Sequence, residues 1–245
     1  MATINVTTGI TGLDKILGGG FPQGRVIVVI GGPGCGKSIL SSQFLYNGIT
    51  KSNENAVYIS LDESKEHYMT EMLSFGWDFD NLEKEGKFNF VDANNVKQIP
   101  QDAQIGRLQV GGKELGLVNL IDMINSAVEK TKARRIVLDS ISGLIFRFPK
   151  IEERRLAILD IIDGLSATGA TCIVTSELIS SGESRELQAE EYIAHGVVTL
   201  QTLRSGDRAI QVRKMRGAKV DTHPRPYMIK DNGFEVYATE NIIST

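Results

Sequence analysis

A glycine-rich segment near the amino terminus has the residue types and spacing of a phosphate-binding loop. Residues 31–38 read GGPGCGKS; they follow a β-branched run and precede a stretch of helical period, as the GxxxxGK[ST] pattern requires. Glycines let successive backbone N–H groups turn towards phosphate oxygens. The segment therefore predicts that Lys37 binds the β- and γ-phosphates of a nucleoside triphosphate and that the Ser38 hydroxyl ligates Mg²⁺.

Polar residues at the ends of three apolar runs could complete this site. The run RIVLD ends at Asp139, which is expected to hold Mg²⁺ through water. Asp62 and Glu63 follow the run AVYISL, where a carboxylate could orient a water for attack on the γ-phosphate. Ser176 or Glu177, after ATCIVT, could sense that phosphate. An alternative stays open at each place, because such residues also cap or begin helices.

The alternation of short β-branched runs with helical stretches predicts an α/β fold, with a mostly parallel central sheet and helices on both faces. The predicted strands are 25–30, 56–61, 88–92, 135–138, 170–175, 196–203, 209–215, 227–230 and 233–237. The predicted helices are 38–50, 65–75, 117–131 and 152–168. Gly206 and Asn232-Gly233 predict turns, and hence an antiparallel extension at the carboxyl terminus. Residues 97–113, polar with two adjacent glycines, predict a long surface excursion.

Composition limits the class of protein. The chain has 245 residues, 41% hydrophobic and 23% charged, with a formal net charge of −3. This excludes disorder and nucleic-acid binding by bulk charge, and it is compatible with one domain over residues 1–245. The first residues lack the pattern of a signal peptide and no apolar run reaches membrane-spanning length, so we expect neither a leader nor a membrane span. Two cysteines are too few for a disulfide framework. We therefore expect a reduced, water-soluble, cytoplasmic protein that does not contact a membrane.

Five segments together resemble the RecA-like ATPases of the KaiC group. They are TGITGLDKILGGGFP (8–22), GGPGCGKS (31–38), SFGWD (74–78), RRIVLDS (134–140) and KMRG (214–217). The likeness runs from Thr8 to Tyr237. The circadian-clock members have two such domains in tandem, and this chain resembles the single-domain members. The resemblance implies a RecA-like P-loop NTPase fold, ATP and Mg²⁺ as ligands, and a ring-shaped homo-oligomer, a hexamer, with nucleotide at the subunit interfaces.

The resemblance also implies which residues contact ATP. Within one subunit, the phosphates would be contacted by Gly34, Cys35, Gly36, Lys37, Ser38 and Ile39, with Ser74 near the adenine. From the neighbouring subunit the contacts would come from Lys214, Met215, Arg216, Lys230 and Asp231. In the loop, the helix end and Lys37 would lower the pKa of the Cys35 thiol and make it oxidisable if solvent reached it; the favoured interpretation is that Cys35 is a small filler.

A cationic stretch late in the chain agrees with a neighbour's triphosphate as partner. Between Arg204 and Lys230 there are eight Lys or Arg and two Asp residues. Three alternatives remain for what this positive charge faces: the triphosphate of an adjacent subunit, a nucleic-acid backbone, or solvent alone. Arg216, beside Gly217, is expected to stabilise charge on the transferred phosphoryl group.

Three departures from the family pattern modify the expected activity. Asp62 stands where the family has the first of two glutamates, and its shorter side chain predicts slow hydrolysis. Ala218 and Val220 replace polar residues after the KMRG segment. Glu191-Tyr192 occupies the place of a phosphorylated Ser-Thr pair of the clock proteins, so autokinase activity is disfavoured.

Three functions follow from these residues. The first is a Mg²⁺-dependent ATPase that forms a ring, turns over slowly and has a regulatory or signalling role. The second is an ATP-gated interaction switch whose partner is another protein. The third is a modulator of DNA recombination, which the sequence pI of about 5.7 and the absence of a separate DNA-binding domain do not favour.

Overall fold

The computed structural model describes residues 4–94, 102–105, 108–145, 148, 150–178, 187–203 and 205–242, with the backbone alone over 102–115. The strands are β1 (Asn5–Val6), β2 (Phe21–Pro22), β3 (Val26–Gly31), β4 (Ala56–Ser60), β5 (Phe88–Asp92), β6 (Asp102–Ile105), β7 (Leu108–Gly111), β8 (Arg135–Asp139), β9 (Thr171–Glu177), β10 (Gly196–Thr202), β11 (Arg208–Met215), β12 (Arg225–Lys230) and β13 (Gly233–Val236). The helices are α1 (Leu13–Ile16), α2 (Lys37–Ser52), α3 (Lys65–Ser74), α4 (Phe79–Lys84), α5 (Gly112–Thr131), α6 (Ser142–Ile145), α7 (Ile151–Ala167) and α8 (Ala189–Ile193).

Nine strands form one sheet in the order β13-β12-β11-β10-β3-β9-β8-β4-β5. The six strands from β10 to β5 are parallel, and β11, β12 and β13 add to one edge as antiparallel neighbours. The predicted mostly parallel sheet with its antiparallel carboxyl-terminal extension is therefore confirmed. Parallel strands run in the same direction, so their carboxyl-terminal ends lie at the same end of the sheet. The residues after β3, β4, β8 and β9 therefore lie near one another.

Two apolar cores, one on each face of the sheet, hold the helices. Strand β3 is buried along its whole length, and its alternate side chains enter opposite cores: Ile27 and Val29 pack on the side of α2, and Val28 and Ile30 on the side of α5 and α7. Burial on both faces explains why this strand is an unbroken apolar run rather than an alternating one. The predicted placement of helices on both faces is confirmed.

Helix α2, which follows the phosphate loop, approaches the sheet closely at Gly48. A Cβ atom at this glycine would lie 2.2 Å from Nε of Arg135 on β8. The Arg135 guanidinium is buried; it pairs with Glu54 (Nε to Oε2, 2.7 Å) and donates to the carbonyl oxygen of Phe44 on α2 (2.9 Å). This contact ties the loop-bearing helix to the strand that ends in Asp139.

The predicted surface excursion at 97–113 is wrong in part. Residues 102–105 and 108–111 form an antiparallel pair of strands, and α5 begins at Gly112, five residues before the predicted start. The first turn of that helix reads GKELG, which has no apolar period to mark it. Residues 97–101, 106 and 107 lie outside the described part of the chain. Over the described residues, no helix is both long enough and apolar enough to cross a bilayer.

Candidate active site

The glycine-rich segment forms a loop between β3 and α2. Gly34 (φ 69°) and Gly36 (φ 90°) adopt left-handed backbone conformations that side-chain-bearing residues rarely tolerate. Lys37 is the first residue of α2, and its Nζ atom donates hydrogen bonds to the carbonyl oxygens of Gly31 (2.9 Å) and Gly32 (3.0 Å). The ammonium group thus lies at the loop and beside the amino-terminal end of a helix, where anions bind favourably.

The carboxyl-terminal hairpin of β12 and β13 packs over this loop. The Tyr227 hydroxyl donates to the carbonyl oxygen of Cys35 (2.6 Å), and a Cβ at Gly36 would lie 2.6 Å from Cδ1 of Ile229. The backbone N–H of Phe234 donates to Oε1 of Gln43 on α2 (2.6 Å). The hairpin therefore fixes the backbone of the loop.

The lowered thiol pKa that was considered for Cys35 is wrong. Burial raises the pKa of its thiol, and this effect outweighs the lowering by Lys37. The thiol is 1% exposed within the core, so the favoured interpretation of a small filler describes this residue.

A cavity of about 280 Å³ opens above the loop. Its lining combines the loop with the ends of the three other strands: Pro33, Gly34, Lys37, Ser38, Tyr58, Ser60, Asp62, Glu63, Asp139, Ser140 and Glu177. The predicted phosphate, metal and water-orienting residues Lys37, Ser38, Asp139, Asp62 and Glu63 thus meet in one cavity, although they come from three separate parts of the chain.

Asp139 lies at the end of β8 and is held by two hydroxyl groups. Tyr58 on β4 donates to its Oδ2 atom (2.6 Å), and Thr175 on β9 donates to its Oδ1 atom. Sequence reasoning missed Tyr58 and Thr175, because both lie inside apolar runs and nothing in those runs marks a polar contact. With Ser38 in the same cavity, Asp139 supplies the hard oxygen ligands that Mg²⁺ prefers.

Asp62 and Glu63 do not begin the following helix. Helix α3 starts at Lys65 with Ser64 as its cap, accepting from the backbone N–H of His67 (3.4 Å). Both acidic residues instead line the cavity. This removes the helix-start alternative that the sequence left open for this pair.

The two carboxylates have different surroundings. Oδ2 of Asp62 accepts hydrogen bonds from the backbone N–H (3.3 Å) and the hydroxyl (2.9 Å) of Ser140. The Glu63 side chain is half-buried, and its burial, with the negative charges of Glu71 and Asp139, raises the pKa of its carboxyl. Ser140 is a further contact that the sequence did not indicate.

Three residues of the KMRG segment, Lys214, Met215 and Arg216, lie at the end of the sheet opposite the phosphate loop. Met215 pairs with Gly196, which pairs with Ile27, four residues before Gly31; this separates the segment from its own loop by roughly 13 Å along the strand. Met215 is buried in the core. Its neighbours, Lys214 and Arg216, therefore face away from the cavity of their own subunit's loop.

Carbonyl groups at the end of α8 hold both of these cations. Lys214 Nζ donates to the carbonyl oxygens of Glu191 (3.1 Å) and Tyr192 (2.8 Å), and Arg216 donates to that of Tyr192 (3.3 Å). Burial and the neighbouring Arg216 lower the pKa of Lys214. The carbonyl ends of helices favour positive charge, so these side chains have a local partner within the subunit.

The remaining expected contacts lie outside the cavity lining. Ser74, on the last turn of α3, is exposed, and its hydroxyl donates to the Glu71 carbonyl oxygen (2.6 Å). Lys230 and Asp231 lie at the β12–β13 turn, at the same end of the sheet as the phosphate loop. The Lys230 ammonium pairs with Glu235. Ile39 packs against the core beneath α2. Arg204, the first cation of the charged stretch, is outside the described residues.

No group of three or more His, Cys, Asp or Glu among the described residues is arranged to hold a metal by itself. A divalent ion at Ser38 and Asp139 would therefore need oxygens from a ligand or from water, as Mg²⁺ does in phosphate sites. A larger cleft of about 360 Å³ lies near Lys132, Arg134 and Gly169, at the end of the sheet where the parallel strands begin. None of the loop residues lines it.

Comparisons with known proteins agree with this arrangement. A family model described as "ATPase: KaiC" matches residues 6–241. The circadian clock oscillator protein KaiC of Synechococcus elongatus is 32% identical over 240 residues, covering 96% of this chain and 44% of that protein. A UPF0273 protein of Aeropyrum pernix is 35% identical, covering 95% of this chain and 93% of its own length.

A solved structure has the same fold. The crystal structure of a KaiC-like protein from Pyrococcus horikoshii superposes with a TM-score of 0.80 at 32% identity, covering 96% of this chain and 99% of that one. The chain thus spans less than half of the clock protein but nearly all of the single-domain relatives.

Proposed function

The chain belongs to the KaiC family of ATPases, and from that premise we propose that it binds ATP with Mg²⁺ above the phosphate loop and hydrolyses it slowly. One observation supports this most: a single cavity contains the loop lysine, a metal-ligating hydroxyl and four acidic side chains from neighbouring strand ends. Each is a part that phosphoryl transfer requires, namely phosphate binding, metal binding and orientation of the attacking water.

Lys37 and the loop amides bind the phosphates. Without nucleotide, the Lys37 ammonium donates to two loop carbonyl oxygens. When ATP binds, it donates instead to oxygens of the β- and γ-phosphates. Ser38 would hold Mg²⁺ with its hydroxyl, and Asp139 would hold it through water. When bound, the ion neutralises charge that develops on the phosphate oxygens.

Glu63 orients the attacking water. Its carboxylate lines the cavity and, among the described residues, receives no hydrogen bond, whereas Asp62 accepts two from Ser140. The raised pKa of Glu63 makes its carboxylate a better proton acceptor. Asp62, tied to Ser140, contributes less to water activation than a free glutamate would, which supports slow turnover.

A ring of subunits, a hexamer, would supply the cations that each cavity lacks. Lys214 and Arg216 lie at the end of the sheet opposite their own loop, and this position supports a contact with a neighbour's triphosphate rather than with their own. Lys230 and Asp231 form the second contact across the same interface. Arg216 acts as the arginine finger, with Lys214 and Met215 beside it.

Clock-type autokinase activity is disfavoured. Glu191 and Tyr192 provide no hydroxyl of the serine or threonine type, and the Glu191 carboxylate accepts from the backbone N–H of Gln188 (2.9 Å) in the capping box of α8. The residue at this place is therefore used to begin a helix.

Phosphate release by the wild type and by Lys37→Ala tests the assignment. We expect Mg²⁺-dependent release from the wild type and a loss of at least about a hundredfold in the variant, because the lysine binds the transferred group. Lys51→Ala, on the same helix but away from the cavity, is the control and should retain the wild-type rate. Equal rates for Lys37→Ala and the wild type would exclude the proposed ATPase.

An ATP-gated interaction switch is the second candidate. The engagement of Asp62 by Ser140 supports it, because a slow hydrolytic step would leave the protein in the ATP-bound state long enough to bind a partner protein. Light scattering with ATP and with ADP tests it: different assemblies support a switch, and identical assemblies exclude it. Nothing in the described residues favours DNA as the partner.

A further inference from the structure

Both oxygens of the Asp139 carboxylate accept hydrogen bonds from hydroxyl groups on the flanking strands. Strand β8 lies between β9 and β4 in the sheet. Thr175 on β9 donates to Oδ1, and Tyr58 on β4 donates to Oδ2 (2.6 Å). The carboxylate is thus held from both sides, and one acceptor position on each oxygen is already used.

The Tyr58 side chain has little freedom to move away from this contact. It is 1% exposed, and its ring lies 4.2 Å from that of Tyr68 and 5.7 Å from that of Phe90, measured between centroids. The ring is therefore fixed beside β8 with its hydroxyl directed at the Asp139 carboxylate.

We propose that Tyr58 and Thr175 are positioning residues that hold Asp139 in the orientation that binds the waters of Mg²⁺. The proposal rests on the ATPase function argued above. With each carboxylate oxygen already accepting from a fixed hydroxyl, Asp139 receives metal-bound water on its remaining acceptor positions and does not need to reorient when the metal–nucleotide complex enters. Partners that orient a metal-binding group typically change metal affinity by tenfold or more when removed.

The chain offers a matched control for Tyr58. Tyr68 is equally buried and lies against Tyr58, but its hydroxyl donates to Oγ of Ser42 (3.1 Å) and not to Asp139. Tyr58→Phe and Tyr68→Phe each remove one buried hydroxyl from the same aromatic cluster. Only the first removes a hydrogen bond to the metal-binding carboxylate.

The experiment measures ADP binding by calorimetry with and without Mg²⁺, and phosphate release as a function of Mg²⁺ concentration. For Tyr58→Phe we expect about a tenfold higher Mg²⁺ concentration at half-saturation, unchanged affinity for ADP without metal, and a near wild-type rate at saturating Mg²⁺. Tyr68→Phe should match the wild type in all three. Thr175→Val should behave like Tyr58→Phe, and Thr175→Ser, which keeps the hydroxyl, should restore the wild-type value.

Three outcomes would overturn the proposal. An unchanged Mg²⁺ requirement in both Tyr58→Phe and Thr175→Val would do so while leaving the ATPase assignment intact. An equal rise in Tyr68→Phe would show that loss of any buried hydroxyl has this effect. Absence of Mg²⁺-dependent ADP binding in the wild type would remove the function on which the proposal rests. If Tyr58→Phe fails to fold, the comparison of Thr175→Val with Thr175→Ser tests the proposal instead.

Discussion

The Asp62 carboxylate accepts two hydrogen bonds from Ser140, one from the backbone N–H (3.3 Å) and one from the hydroxyl (2.9 Å). Ser140 directly follows Asp139, so the first acidic residue after β4 is tied to the end of the neighbouring strand. Glu63, the second, lines the same cavity without such a tie. The pair therefore divides into one carboxylate that holds the backbone and one that faces the substrate space.

Asp62→Asn and Glu63→Gln should differ in their effect on hydrolysis. We expect Glu63→Gln to lower the single-turnover rate by about a hundredfold or more, the usual cost of losing a general base. Asp62→Asn keeps an oxygen that can accept from Ser140, and we expect a loss of about tenfold or less. Rapid-quench measurement of phosphate release compares the two. A larger loss in Asp62→Asn would assign the water to Asp62.

The dependence of hydrolysis on pH should reflect the Glu63 carboxyl. Because its pKa is raised, the rate should fall on acidification at a pH above the ordinary glutamate range. Glu71→Gln removes a like charge that raises this pKa, and His67→Gln removes a positive charge that lowers it. The acid limb should therefore move to lower pH in the first variant and to higher pH in the second, by roughly a few tenths of a unit at these exposed positions.

Opposite shifts in those two variants would identify Glu63 as the titrating group. Shifts in the same direction, or an unchanged acid limb in both, would show that another group controls the rate. The measurement is the initial rate of phosphate release between pH 4 and 8 in buffers of constant ionic strength, on the order of 0.1 M, because screening changes the interaction.

Mixing two inactive variants tests whether Arg216 acts on a neighbouring subunit. Lys37→Ala should lack a working loop, and Arg216→Ala should lose about a thousandfold in rate, as expected for loss of an arginine finger. In mixed oligomers some interfaces combine an intact loop with an intact Arg216, so activity should reappear. Arg213→Ala, which removes an exposed cation on β11 three residues before Arg216, should be active alone. No recovery on mixing would exclude action between subunits.

Tyr227→Phe should weaken nucleotide binding from a distance. The variant loses the hydrogen bond to the Cys35 carbonyl oxygen (2.6 Å), and with it a fixed point of the loop backbone. We expect a severalfold weaker affinity for an ATP analogue and a decrease of about 1 kcal/mol in the free energy of unfolding. Tyr237→Phe, whose hydroxyl contacts Met228 Sδ (3.3 Å) and Lys230 but not the loop, is the control. Wild-type affinity in Tyr227→Phe would contradict this role for the hairpin.

Gly48→Ala should destabilise the fold, although alanine favours helices. The added methyl would lie 2.2 Å from Nε of the buried Arg135, so we expect a loss of about 1–3 kcal/mol, typical of overpacking. Gly164→Ala on α7 meets only the side chain of Ile121 at 3.2 Å, which can adjust. Denaturant unfolding followed by circular dichroism compares the two. Equal stabilities would show that Arg135 moves aside without cost.

Local spacing was sufficient to predict the nine strands of the central sheet and the helices α2, α3, α5 and α7, but not the other elements of the described chain. The β-branched runs, the segment GGPGCGKS and the carboxylates at Asp62, Glu63 and Asp139 are all patterns of adjacent residues. The parallel sheet followed from the alternation of strands and helices, and it is confirmed. Where the local pattern was weak, as at the polar start of α5, the prediction was wrong.

Only the tertiary structure decided which distant side chains meet. Tyr58 and Asp139 are 81 residues apart, and Tyr227 and Cys35 are 192 apart; their contacts depend on strand order and register, which no local pattern encodes. The same register puts Lys214 and Arg216 at the end of the sheet away from their own phosphate loop. The sequence by itself thus determined what the site can do, because phosphate and metal binding need particular residue types at short spacing. The packing of the sheet determined how those residues are held, because each hydroxyl and carboxylate finds its partner on another strand.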